Sequence, residues 1–370
     1  MAGTVKPLAD YSHVTALIQR GKLMASDAKR RARRPTMNDV ARQAGVALST
    51  VSRVVNSDPT VGEEFVARVR TAVEELGYRP DEQAQLLRRG VSRTIGVAVR
   101  ELSGPNAVLM AFERAARREG LVVLAASTNE DEDQEREIVM LMARRSFDGV
   151  VLEPIGDEHN WVAPEVAAGL AVVAIDRPIV GADADTVLSD NAGGIRMAYS
   201  HLRGHGHRHI AYIGDDERIF TGHARAAAFR ECLAEDGRPA QGLVHAGDVE
   251  QTRISEALRR VLGRHEPVTA VIAGNADTTI MILTHLFATT PAAQRPALIG
   301  FDDFPLAGLL DPPVTVIAQD TAAIGLAALR LLTARLADPK RPIETVTIPV
   351  SLVARGSGEL GAGSAADAGA

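Results

Sequence analysis

From Ile95 onward, short β-branched runs alternate with amphipathic helical stretches, and no other property of the chain limits its fold so narrowly. Ile95-Gly-Val-Ala-Val99 is followed by helical spacing through Ala107–Glu119 and then by Leu121-Val-Val-Leu-Ala125. The rhythm returns at Gly149–Leu152, Ala171–Ile175, Ile210–Ile213, Ala270–Ala273 and Ala297–Gly300. Strands buried on both faces read as nearly continuous apolar runs, and helices between them supply the crossovers. The pattern therefore predicts an α/β chain with parallel sheets. About nine such units exceed one comfortable sheet, which predicts two doubly wound lobes. Ligands of such sheets bind beyond the carboxyl ends of the strands. Asp176, Asp190, Asn275 and Asp302 stand at those positions.

With 370 residues and 46% hydrophobic content, the chain exceeds one core. Its 24% charged residues are ordinary for a globular protein in water. No apolar run approaches the ~18 residues that span a bilayer, and Met1–Leu8 lacks the apolar stretch of a secretory signal. Cys232, the one cysteine, excludes an internal disulfide framework and a cysteine-rich zinc module. These features predict a cytoplasmic protein with no membrane partner.

Net charge is −6, but the amino end is basic. Between Arg20 and Arg53, nine bases (Arg20, Lys22, Lys29, Arg30, Arg31, Arg33, Arg34, Arg42, Arg53) face only Asp27 and Asp39. Such asymmetry suits a small nucleic-acid-binding head on a body that repels DNA. Residues 1–35, ending in Lys29-Arg-Arg-Ala-Arg-Arg34 and Pro35, read as a basic disordered arm, either gripping phosphates or merely solvated. Met24 offers an alternative translation start.

Thr36 and Asp39 form the start of a capping box. A first helix should run to about Ala44, Gly45 should supply a tight turn, and a second helix should span about Leu48 to Asn56. On that helix Ser49, Ser52, Arg53 and Asn56 recur at i, i+3, i+4 and i+7, while Val51, Val54 and Val55 take the other face. A helix that packs by its valines and presents hydroxyls, an amide and a guanidinium suits the major groove. A third helix, about Glu63 to Leu76, places Phe65, Val66, Val69, Val73 and Leu76 on its apolar side. Asp81–Arg89 is too short to form a stable isolated helix.

The head motif Asn38-Asp-Val-Ala-Arg-Gln-Ala-Gly-Val46 and Thr50-Val-Ser-Arg-Val-Val-Asn56 resembles that of the LacI family of bacterial transcription regulators. Leu76-Gly-Tyr-Arg-Pro80, Ala84 with Leu87, Gly204-His-Gly-His-Arg-His-Ile210, Arg225 with Phe229, and Gly300-Phe-Asp-Asp303 follow in family order. The resemblance covers about Pro35 to Gly356. It implies a head at 36–80, a hinge helix and linker at 81–93, and an effector-binding and dimerisation body at 94–355 of the type I periplasmic binding fold. The lobes would be about 94–190 plus 320–345, and about 191–319 plus 346–355, with a disordered tail at 356–370.

The resemblance further implies a homodimer whose heads read half-sites of a near-palindromic double-stranded operator. Leu48, Ser49, Ser52, Arg53 and Asn56 would contact bases; Thr36, Thr50, Tyr78 and Ala84 complete the DNA-binding set. Leu87 of each hinge would wedge into the minor groove, or else pack as a linker residue. In the body, Asp176, Asp190, Arg225, Asn275 and Asp302 would line a cleft for a small effector, carbohydrate or nucleoside-like. Arg225 facing Asp302 could hold vicinal hydroxyls. Asp176, Asp190 and Asn275 could instead cap helices. Trp161 and Phe220 could stack on a sugar ring or simply pack. Departures from the family pattern include Ala47, where a Ser or Thr usually caps the second helix, and Phe65-Val66, where Thr-Arg is usual.

His201, His205, His207 and His209 invite a metal reading, but their spacing falls in a turn with Arg208 adding positive charge. No phosphate-binding glycine loop, dinucleotide fingerprint or nucleophile elbow is present. The sequence thus predicts a ligand-responsive regulator, most simply a repressor, with no cofactor, no metal and no enzymatic activity. The alternative is a DNA-binding regulator whose body only dimerises or binds a protein partner.

Overall fold

A computed structural model describes residues 35–56, 58–78, 91–102, 106–266 and 268–361. The chain divides into two units, Met1–Val91 and Ser92–Ala370. The basic arm through Arg34, and Ala84 and Leu87 of the expected hinge, lie outside the described residues.

Among the described residues, the first unit carries three helices, α1 (Met37–Ala44), α2 (Leu48–Val55) and α3 (Glu63–Leu76). Thr36 caps α1 through the expected box: Asp39 N donates to Thr36 Oγ1 at 3.4 Å and Thr36 N donates to Asp39 Oδ2 at 2.9 Å. Gly45, at φ 62°, turns the chain into α2. Ala47 gives α2 no side-chain cap, and Asn56 stands just past its end rather than within it. Val40, Ala44, Val51, Val69, Ala72 and Tyr78 form the core. Phe65 departs from the expected apolar face. It is 43% exposed, and the inward positions of α3 are Val69 and Ala72, with Val73 and Leu76 packed beside them. Burying a valine contributes about 1.5–3 kcal/mol, so so few buried side chains make a head of modest stability.

The described residues of the second unit form two six-stranded sheets. The first has the order β11-β5-β4-β3-β1-β2, from β1 (Thr94–Val99), β2 (Val122–Ser127), β3 (Gly149–Leu152), β4 (Ala171–Ile175), β5 (Asp185–Ser189) and β11 (Thr345–Ile348). The second has the order β12-β10-β9-β8-β6-β7, from β6 (Ile210–Gly214), β7 (Val244–Ala246), β8 (Ala270–Ala273), β9 (Ala297–Phe301), β10 (Thr315–Gln319) and β12 (Val350–Val353). Among the described residues all strand pairings are parallel except that of β12 with β10, which is antiparallel. Helices α4 (Ala107–Arg118), α5 (Glu132–Arg144) and α6 (Ala163–Ala167) accompany the first sheet in sequence. Helices α7 (Asn191–Gly204), α8 (Phe220–Glu235), α9 (Gln251–Leu262) and α10 (Ala276–Thr289) accompany the second. Helix α11 (Thr321–Ala337) follows β10 but packs back on β3, β4 and β5.

The chain crosses between lobes after Ser189, after Gln319 and at Pro349. The third crossing falls later than the expected boundary after residue 345, because β11 stays paired to β5 through Ile348. The expected disordered tail also starts too early. Gly356–Gly361 is held against the second lobe: Ser357 Oγ donates to Leu298 O at 2.6 Å and accepts from Thr315 N at 2.9 Å. Thr315 Oγ1 donates to Glu359 Oε2 at 2.7 Å.

Candidate functional site

Two sites emerge, one in each unit. On α2, Val51 is fully buried and Val54 and Val55 half-buried, which fixes the rotation of the helix. Leu48, Ser49, Arg53 and Asn56 are consequently exposed, with Thr50 and Ser52 half-buried. Asn56 Nδ2 donates to Ser52 O at 2.7 Å. Arg53 Nε donates to Asp58 Oδ2 at 2.9 Å. Thr36 is occupied as the cap of α1, its Oγ1 2.6 Å from Asp39 Oδ2. Tyr78, from the expected DNA-binding set, is 7% exposed and its ring belongs to the head core.

In the body, carboxylates and guanidiniums gather where strands of the two sheets end. Asp176 follows β4 at φ 67° and Asp302 follows β9 at φ 69°. Their backbones are equivalent: Asp176 N donates to Val187 O at 3.0 Å, and Asp302 N donates to Ile317 O at 2.9 Å. Left-handed backbone costs most side chains about 1–2 kcal/mol, and Asp is among those that bear it best. Each lobe thus presents an aspartate from the same kink.

Arg225, from α8, is 3% exposed. Its Nε donates to Asn191 Oδ1 at 2.7 Å, its Nη1 donates to Gly274 O at 2.6 Å, and Nη1 lies 3.7 Å from Asp302 Oδ2. The guanidinium lies over Phe301, 3.8 Å from the ring centroid. Gln319 Nε2 donates to Asp302 Oδ1 at 2.5 Å, and Ser189 Oγ donates to Gln319 Oε1. Asn191 Nδ2 donates to Ser189 O at 3.1 Å. A closed polar circuit therefore joins Arg225 and Asp302 to two interlobe crossings, at Ser189 and Gln319.

Burial pushes the Asp302 carboxyl above its ordinary range, opposed by Arg225 and Gln319 and aided by Asp176. Burial likewise raises Asp215, against the attraction of Arg225, Arg100 and Arg177. Asn275 caps α10, accepting from Thr278 N at 2.7 Å, while its Nδ2 donates to Asp215 Oδ1 at 2.5 Å. Asp190 caps α7 through Gly193 N at 2.8 Å; two of the three capping alternatives, those of Asp190 and Asn275, thus describe bonds in the structure.

Two cavities, of about 550 and 740 Å³, share Arg100, Glu130 and Asp277 in their walls. Asp176 and Gln319 line the first, and Asp215 and Asn275 line the second. Phe220 faces the larger one, whereas Trp161 packs against the first lobe's core. Asp190, Arg225 and Asp302 line neither. Arg100, Glu153, Asp215, Asn191 and Gln319 went unread in the sequence. The first three directly follow β1, β3 and β6, so the strand-end rule applied to every strand would have found them.

The histidine cluster serves packing. His207 bonds Thr269 Oγ1 at 2.9 Å and Leu360 O at 2.6 Å, and His201 Nε2 lies 2.6 Å from Glu359 Oε1. Among the described residues no group of His, Cys, Asp or Glu could hold a metal ion. No described helix is long and apolar enough to cross a membrane.

Comparison with known proteins matches residues 36–81 to the model of bacterial regulatory proteins of the lacI family, and residues 199–358 to a periplasmic binding protein-like domain. The HTH-type transcriptional regulator GalS of Salmonella typhimurium is 31% identical over 300 residues, covering 80% of this chain and 88% of GalS. A solved complex of the transcriptional regulator CelR with cellobiose is 28% identical, with a TM-score of 0.64, covering 88% of this chain and all of that one. The lac repressor dimer bound to operator and the anti-inducer ONPF shares the fold, with a TM-score of 0.75 at 22% identity over 89% of this chain.

Proposed function

Because the chain belongs to the LacI family of DNA-binding transcription regulators, we propose that it is a repressor that reads a near-palindromic operator as a homodimer and answers to a small polyhydroxylated effector. The observation that carries this reading is the pairing of two built sites in one chain. One is the outward row Leu48, Ser49, Arg53 and Asn56 on α2. The other is the Arg225–Asp302 pair, joined through Gln319 to the wall of the first strand-end cavity.

Hydroxyl, amide and guanidinium groups on α2 suit the donor and acceptor pattern of base edges. In the body, Asp176, Asp302 and Asp215 offer carboxylate acceptors, and Asn275 offers an amide. Carboxylates outnumber the guanidiniums in the first cavity's wall, where Glu101, Glu130, Glu153, Asp176 and Asp277 meet Arg100. That balance suits a neutral sugar or nucleoside, whose hydroxyls donate, over an anion. Effector binding would reach the DNA through the circuit of Asp302, Gln319 and Ser189, because a ligand contacting Asp302 disturbs residues at two crossings between lobes.

The dimer reading is supported by the edge strand β2, which leaves Val122 and Leu124 55% and 50% exposed. A second copy would cover them. A chain that works on DNA belongs in the cytoplasm of a bacterium, where we place it.

A thermal-shift screen of neutral sugars and nucleosides tests the effector half: a true ligand raises the body's melting temperature with concentration. A body silent to the whole panel, in a protein that still selects DNA, favours the second reading, a body used for dimerisation or protein contact.

A further inference from the structure

Arg53 is not a free arm. Its Nε donates to Asp58 Oδ2 at 2.9 Å, and its Nη2 donates to Thr60 Oγ1. Thr60 in turn donates to Asp58 Oδ1, from its hydroxyl at 2.5 Å and from its backbone N at 2.9 Å. Asp58 N donates to Arg53 O at 2.9 Å, closing the loop back onto the end of α2. Arg53 and Thr60 are exposed and Asp58 is half-buried, and an ion pair so open to solvent would contribute little to stability. The arrangement is therefore poorly explained as a stabilising device.

Its geometric consequence is definite. A guanidinium has five N–H donors in a planar fork. With Nε–H and one Nη2–H engaged, the three that remain are on Nη1 and Nη2, along the end of the fork. That edge matches the O6 and N7 acceptors of guanine in a bidentate contact. We infer that Asp58, with Thr60, is a specificity-determining positioning residue that holds Arg53 with its end-on fork directed at a guanine in the major groove. Fixing the side chain beforehand reduces the rotamer freedom lost on binding. The carboxylate also repels phosphates, so it disfavours Arg53 gripping the DNA backbone at an arbitrary sequence. This inference rests on the reading of α2 as the DNA-contacting helix.

The test uses the full-length protein and a pool of short duplexes randomised along their length, sequenced after selection. Wild type should enrich guanine at one position per half-site. Asp58→Ala should reduce that preference by about tenfold, leave other positions unchanged, and bind the unselected pool at least as tightly as wild type. In an Arg53→Ala background, Asp58→Ala should change nothing further at that position, since the two act as a unit. Asp58→Asn retains an acceptor for Nε and should fall between wild type and Arg53→Ala; it also decides the matter if the alanine variant does not fold. An undiminished guanine preference in Asp58→Ala, or additive effects with Arg53→Ala, overturns the inference. Wild type enriching no sequence at all would overturn the DNA-reading function itself and this inference with it.

Discussion

Arg225 stands 3.7 Å from Asp302 yet makes its hydrogen bonds to Asn191 and to the carbonyl of Gly274. The pair is thus poised rather than locked. Asp302 retains capacity to accept from a ligand, while Arg225 is fixed by partners of its own.

Replacing Arg225 by alanine leaves Asn191 Oδ1 and Gly274 O without their donor and Asp302 without its counter-charge. Breaking a buried charged network in this way should cost about 3–5 kcal/mol. Denaturant unfolding of the body should show that loss, and thermal shift should show no response to any effector that stabilises wild type. Full effector response in Arg225→Ala would remove this residue from the ligand site.

Asp215 gives a pH prediction with a definite sign. Its native carboxyl holds a proton above the ordinary value of 3.8, so folding takes up protons there. Its contribution to stability therefore falls as pH rises from 3.8 through the elevated native value. Asp215→Asn keeps an acceptor for Asn275 Nδ2 while removing the buried charge. Its melting temperature should vary less with pH across that window, and at neutral pH it should equal or exceed wild type. A marked drop in melting temperature at neutral pH would contradict the assignment.

The division between what could and could not be read from the chain follows burial. Runs such as Ala171–Ile175 and Ala270–Ala273 lie in sheet interiors and are apolar throughout, so their strands were evident. Strands β5 and β10 were missed because each carries polar residues whose partners are distant in sequence, and β11 because exposed threonines interrupt its apolar residues. Asp185, at the start of β5, is fully buried only because Arg335 binds it at 2.9 and 3.0 Å and Glu344 N donates to it at 2.8 Å. The same distance hid Asn191 and Gln319, whose roles exist only once two crossings are brought together. Asp176 and Asp302 were legible because they end apolar runs. Phe65 was misplaced because periodicity records apolarity, whereas packing selected Val69 and the small Ala72.

The ordered segment after Arg355 makes a further prediction. Ser357→Ala leaves the Leu298 carbonyl and the Thr315 amide without their side-chain partner, which should cost about 1–3 kcal/mol. Urea unfolding of the body reads this directly. An unchanged midpoint would show that the segment merely rests on the lobe.

In the head, Gly45→Ala should be harmful for two reasons. The backbone is left-handed there, at φ 62°, and an added Cβ would lie 2.7 Å from Arg68 Nη2, which donates to Ala44 O at 2.6 Å. Left-handed strain alone is about 1–2 kcal/mol. DNA binding should weaken while the body's melting transition stays in place. A shift of the body transition would contradict an effect confined to the head.

The central claim, that α2 reads DNA sequence, is tested most directly by selecting fragments of bacterial genomic DNA on the purified full-length protein and footprinting those retained. A small set of near-palindromic sites is expected, held against excess random competitor and lost when Arg53 is changed to alanine. Retention of fragments without sequence preference, with wild type and Arg53→Ala behaving alike, would contradict it.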